Sequence, residues 1–221
     1  MKPTIEQLHN SPNYELVDSF HIDQMGEFLA REIRMKQKKA ASDQRKMTPK
    51  TFLLFLIFGG IGWAIGSVLG KATVKSGVDG TNIALQFGLA FLGFFVVLLP
   101  IHEAIHALFF KALGAEKVGF GWSKKSLIVY AYAQKFVMTL RENAWAAAMP
   151  FIVITIALAF LWYLFPQWPL FWATALFFHT TACIGDFILI RYYFKNVRYR
   201  MYTYDDIEEK NHSYFFREKI N

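Results

Sequence analysis

The chain is poor in the features that hold a small secreted or soluble domain together. Its single cysteine, Cys183, in 221 residues excludes an intramolecular disulfide and any reliance on an oxidising compartment; the thiol reads as a small apolar filler. Charged residues are only 19% of the chain, below the roughly 25% of a soluble domain. The first 50 residues are polar, with no apolar core beside a small-residue cleavage site. No cleavable signal peptide is therefore expected, and membrane insertion is expected to use internal segments. No internal repeat is evident, and a transporter built from repeat-related broken helices is disfavoured on that ground.

What fills the space is apolar: hydrophobic residues reach 54%, with 23 phenylalanines. Four runs are long enough to cross a hydrocarbon core of about 30 Å as helices. They lie at about Thr51–Gly70, Ile83–Leu113, Asn143–Phe165 and Leu170–Phe194. Gly114 follows the second, suited to a left-handed helix terminator. Pro150 near the start of the third predicts a kink, and Trp168 in the PQWP turn before the fourth suits an interfacial belt. The formal net charge of +7 raises the question of nucleic acid, and the distribution of the basic residues answers it. They crowd ahead of the first run (Arg31, Arg34, Lys36, Lys38, Lys39, Arg45, Lys46, Lys50), thin to Lys71 and Lys75, and return between Lys111 and Arg141. They vanish at 166–169 and reappear from Arg191 to Arg200. That alternation is the positive-inside pattern. It predicts an all-α membrane protein with four transmembrane helices and both termini cytosolic, multi-pass in the cell membrane, with the bilayer and no nucleic acid as its surroundings.

The same reading divides the chain into a cytosolic N-terminal segment (1–50), a transmembrane domain (51–194) and a cytosolic tail (195–221). Residues 19–46 read as an amphipathic helix with Phe20, Ile22, Met25, Leu29 and Ile33 on one side, either lying on the anionic inner leaflet or serving as a solvated linker. Two β-prone runs, about Lys117–Trp122 and Ser126–Ala133, flank a Ser-Lys-Lys turn and predict a small cytosolic hairpin between the second and third spans. Its edge can take up an extended peptide, though most hairpins do no such thing. The tail, with DDIEEK and YFFREKI, carries no readable motif.

Polar chemistry interrupts the second run at PIHEAIH, residues 100–106. His102-Glu103-Ala104-Ile105-His106 is HExxH. Residues four apart share a helical face, so both imidazoles reach one ion while Glu103 projects beside them where a metal-bound water sits. One zinc ion is the natural occupant, with Glu103 as general base. A chain of this composition should contain HExxH by chance roughly 0.01 times, and an ionisable residue within a span costs at least about 2.5 kcal/mol, which marks it as functional by default. A third ligand is needed. On straight helices His106 lies about 11 Å, and Asp186 about 12 Å, from the cytosolic ends of their spans. Glu116 and Glu142 lie outside or at the edge of that level, so Asp186 is the better candidate. His179 shares a face with Cys183 and Asp186 but sits about 10 Å deeper. It reads first as a polar lining or outer partner of the site and second as a replacement ligand. Gly185 offers a close approach between the fourth and second helices, or ordinary helix packing.

With HEAIH at 102–106, RENAWAAAMP at 141–150 and HTTACIGDF at 179–187, the chain resembles over about residues 90–195 a bacterial family named Putative zincin peptidase, domain of unknown function 3267. That family is distantly similar to site-2 intramembrane metalloproteases. Members generally carry a polar residue, often Asn, where His179 stands, then a Gly-Asp pair matching Gly185 and Asp186. An NPDG-like motif of site-2 proteases is absent here. The resemblance implies zinc held by His102, His106 and Asp186, with Glu103 as base, in a membrane-embedded peptidase acting on a membrane-associated protein or peptide. A peptidase acting at the cytosolic surface on soluble or misfolded proteins, and a non-catalytic metal-binding sensor, are the alternatives.

Overall fold

Strong local signals sit where the sequence turns. Thr4 caps helix α1 (Ile5–Asn10) with a reciprocal bond to Gln7, and Thr139 and Glu142 form the same capping box at the start of a much longer helix. Each such box satisfies two otherwise unpaired N–H groups. In this computed structural model, residues 2–32, 80–123 and 128–219 are described. The expected first span at 51–70, and the Ile33-to-Lys46 part of the expected amphipathic helix, lie outside them.

The architecture corrects the expectation of an all-α, four-span protein. It contains two antiparallel sheets as well as helices. Strand β1 (Tyr14–His21) leads through a short 3-10 turn at Ile22–Gln24 into helix α2 (Met25–Glu32). Phe20 is thus in a strand and not in the helix predicted for 19–46. Helix α3 (Gly80–Gly93), a π-helical turn (Phe94–Leu98) and helix α4 (Leu99–Ala112) follow. The hairpin β2 (Val118–Ser123) and β3 (Ile128–Ala133) stands where it was expected, after Gly114, which takes the left-handed conformation at φ +99°. Strand β4 (Met138–Thr139) opens helix α5 (Leu140–Leu164), which carries Pro150 inside it. Helices α6 (Pro169–Ala182) and α7 (Ile184–Lys195) come next, then β5 (Met201–Asp206), the short helix α8 (Ile207–Lys210) and β6 (His212–Glu218).

Among the described residues two helical stretches are long and apolar enough to cross a membrane, Asn82–Ala112 with 31 residues and Leu140–Leu164 with 25. The count becomes 3 if α6 and α7, bent by 47° at Cys183, form one broken span. Their outer faces are apolar and exposed, as at Leu108, Ile156 and Phe177. The single straight span expected over Leu170–Phe194 is therefore two helices. Asp186, in the first turn of α7, owes its direction to that break.

The four-stranded sheet runs β1-β6-β5-β4, so the two ends of the chain share one layer. Leu8 of α1 packs with Tyr202, Tyr204 and Phe216 in one cluster. Phe20, Phe215 and Met201 pack with Phe28 of α2, Leu140 of α5 and Tyr192 of α7 in another. Because both faces are covered, the tail shows no alternation of apolar and polar residues; the pattern that would announce a half-buried strand is missing. The Glu32 carboxylate meets Lys195 Nζ at 2.9 Å and ties α2 to α7. On the far side, Ala90, Ile154, Leu158 and Ala175 join α3, α5 and α6.

Candidate functional site

Helix α4 presents its polar residues inward because of what precedes it. In the π-helical turn Leu99 N–H bonds back five residues to Phe94, and Pro100 has no N–H with which to restore the regular ladder. Such π-bulges absorb an extra residue and are frequent at functional sites. His102, Glu103 and His106 on the following turns are all buried.

Their side chains converge with Asp186. His102 Nε2 and His106 Nε2 lie 3.1 Å apart. Asp186 Oδ2 is 3.2 Å from the former and Asp186 Oδ1 3.4 Å from the latter. Atoms bound at about 2.0–2.2 Å to one tetrahedral zinc lie about 3.3–3.5 Å from each other. The donor set of two imidazoles and a carboxylate matches that spacing. Asp186 Oδ2, moreover, is fully buried and its one close polar neighbour is His102 Nε2, a state that a buried carboxylate oxygen keeps only at a cost unless a cation satisfies it. The residues fit a zinc ion.

A main-chain neighbour fixes the His106 tautomer. The Ala146 carbonyl on α5 accepts from His106 Nδ1 at 3.0 Å, which leaves Nε2 its lone pair. His102 Nδ1 points at the Cys183 sulfur, 3.9 Å away. Glu103 Oε1 stands 4.0 Å from His102 Nε2, while Glu103 Oε2 accepts the Ala131 N–H of β3 at 2.7 Å. One carboxylate oxygen is anchored to the hairpin and the other faces the site.

All four residues singled out from the sequence are thus in one place. Glu116 is exposed, and Glu142 is engaged in its cap and with Lys2 at 2.8 Å, so neither approaches. His179 is fully buried and, with His102 and Cys183, forms a second group of close donor atoms that excludes His106 and Asp186. The straight-helix depth of His179 does not hold, because the chain bends between it and Asp186. No sequence signal announces the Ala131 and Ala146 main-chain partners. The hairpin and RENAWAAAMP pointed to their segments without naming the atoms.

A cavity of about 360 Å³ opens beside these groups, lined by α2, α4, β3, α5, α7 and the inner face of the sheet.

Residues 95–200 match the family described as Putative zincin peptidase, domain of unknown function 3267. Over those residues the chain is similar to this family. The matched segment runs from the π-helical turn to the residue before β5, and it contains His102, Glu103, His106 and Asp186. No curated protein and no solved structure matches the chain. Similarity to a zincin peptidase family suggests a zinc metallopeptidase, and the histidine and aspartate donors form a group that could hold such an ion.

Proposed function

We propose that the protein is a multi-pass membrane zinc peptidase that hydrolyses peptide bonds of membrane-associated substrates. The observation that carries this reading is the convergence of His102, His106 and Asp186 from α4 and α7, with Glu103 beside them on a cavity. Zinc bound there supplies Lewis acidity, which makes a water acidic enough to be deprotonated near neutral pH and polarises the scissile carbonyl. Glu103 takes that proton at Oε1 and passes it to the departing amine nitrogen. The carbon–nitrogen bond breaks, the water oxygen stays on the carbonyl carbon, and no other reactant is consumed. Ala131 N–H holds Glu103 Oε2, so the carboxylate keeps one orientation through the cycle. Since Ala131 N–H turns away from β2 and toward Glu103, the outer edge of β3 borders the cavity; an extended substrate segment can pair along it. The apolar exposed faces of Asn82–Ala112 and Leu140–Leu164 support catalysis at a depth where water enters only through a polar cleft.

Two variants of the purified protein test this. Glu103→Gln should keep its zinc and lose peptide hydrolysis by a factor of about 10² or more, whereas Asp186→Ala should lose zinc as well. Equal zinc in wild type and Asp186→Ala would overturn the ligand set. Full biological effect in Glu103→Gln would favour a metal-binding sensor over a peptidase. Mapping cleavage of a substrate inside or outside its span distinguishes intramembrane from surface action.

A further inference from the structure

The cavity beside the site has a far wall, and that wall carries a carboxylate that hydrolysis does not use. Thr203 and Asp205 of β5 and Ser213 and Phe215 of β6 face the cavity together. They are cross-strand partners, Thr203 opposite Phe215 and Asp205 opposite Ser213. Most of the remaining lining is apolar, including Phe20, Phe28, Val129 and Leu189. No lysine or arginine lines the cavity among the described residues. The Asp205 carboxylate receives one hydrogen bond, 2.7 Å from Ser213 Oγ, and forms no ion pair among the described residues.

The position of Asp205 is fixed by its backbone. Its carbonyl accepts from Lys135 N at 2.7 Å, where Lys135 takes a left-handed turn at φ 51°. Gln134 Oε1 accepts from the main chain at Ile207 and Glu208, at 3.0 and 3.2 Å. These bonds hold the end of β5 against the base of the β2–β3 hairpin, the same hairpin that anchors Glu103. Tyr130, on β3 next to Ala131, also lines the cavity.

A carboxylate in the wall of a largely apolar, aromatic cavity is complementary to one kind of side chain: a cationic head on a long hydrocarbon stem. Such a stem would lie against the phenylalanine rings of the lining, and its head would meet the Asp205 carboxylate that Ser213 already bonds. An acidic side chain is rejected there by like charge, and an aliphatic one leaves the carboxylate desolvated and unpaired.

We propose that Asp205 is the specificity determinant of the cleft, selecting peptides that place a lysine or arginine side chain in this cavity. The proposal rests on the peptidase reading for its substrate and on the wall of the cavity for its chemistry. Its test uses the full chain in detergent with zinc and three otherwise identical fluorogenic peptides bearing Lys, Leu or Glu at one scanned position. Wild type should favour Lys over Leu at one position by about tenfold or more in kcat/KM. Asp205→Asn should collapse that ratio, and Asp205→Lys should turn the preference toward Glu. A residue that merely supports the fold would lower hydrolysis of all three peptides alike and leave the ratio unchanged; that result, or a wild type with no preference at any position, overturns the proposal.

A second readout separates this from failure of the peptidase reading. Anisotropy of the same labelled peptides on Glu103→Gln protein should show tighter binding of the Lys peptide, lost in the Asp205→Asn, Glu103→Gln double variant. If no peptide is cleaved by wild type yet this binding preference is present, catalysis is refuted and Asp205 keeps its role. If the binding preference is absent, the proposal fails.

Discussion

Burial pushes the Asp205 carboxyl up to about 6 from an ordinary value of 3.8, against the opposing bond from Ser213. The nearby Tyr130 hydroxyl is itself raised, by burial first and then by Tyr132, Asp205 and Asp23, so it stays protonated as a donor and brings no charge. The sign for stability follows. Between about pH 4 and pH 6 the folded protein binds more protons at this site than the unfolded chain, so the contribution of Asp205 falls as pH rises through that window. Above it the ionised carboxylate costs up to about 3 kcal/mol. Asp205→Asn should accordingly raise the melting temperature at pH 7.5, and the difference from wild type should shrink as pH is lowered to 4. Thermal unfolding in detergent across that range checks it; a constant difference would mean the carboxylate is not desolvated. A group that destabilises the fold while ionised and lines the cavity is the usual signature of a residue kept for function.

At the level of elements, the hairpin joins two demands in two strands of six residues each. Gly121 lies opposite Tyr130 and Gly119 opposite Tyr132. A Cβ on Gly121 would come within 2.4 Å of the Tyr130 ring, and one on Gly119 within 2.5 Å of the Tyr132 ring. The glycines make room for the rings. Gly121→Ala should leave the protein folded, because the clash is with the far end of a side chain, but should displace Tyr130 in the cavity. The expected result is a rise in KM for the preferred peptide by about tenfold with little change in melting temperature; an unaltered KM would show that Tyr130 does not touch substrate. The hairpin and HExxH were legible because their signals are local, a polar turn between β-prone runs in one case and a four-residue spacing in the other. Nothing local announces β1 or the break at Cys183. Phe20, Ile22, Met25 and Leu29 satisfy a helical spacing, yet Phe20 is drawn into a strand by pairing with Ser213 of β6, almost the whole chain away. The tail is covered on both faces and so lacks the alternation by which a strand is recognised. Counting spans by hydropathy found the long helices at Asn82–Ala112 and Leu140–Leu164, and could not see that Cys183, at φ -74° and ψ 4°, divides the last one.

At the scale of the whole molecule, the site couples parts of the chain that otherwise meet only through packing. Asp186 is 80 residues beyond His106, on the far side of the hairpin, α5 and the bend. The sheet, formed from both ends of the chain, closes the cavity through Phe20, Phe215 and Asp205. On the proposed reading, a zinc ion shared by α4 and α7 would tie together two apolar elements that the native fold alone brings together, since the unfolded chain has no preformed site. A ligand bound only by the folded state stabilises it by about 4 kcal/mol at a free concentration a thousandfold above its dissociation constant. Chelation should therefore lower the melting temperature of wild type by several degrees, and zinc should restore it; for a domain of 150–250 residues each kcal/mol is worth about 2–4 °C. In Asp186→Ala the zinc-dependent increment should be lost, because removing one of three ligands leaves the two histidines of α4 without a partner on α7. Glu103→Gln should keep the full increment if, as proposed, Glu103 handles the proton and does not bind the ion. Melting curves of the three proteins with and without chelator separate these roles. A zinc-dependent shift that survived in Asp186→Ala would place the ion elsewhere, with the His102, His179 and Cys183 group as the next set of donors to examine.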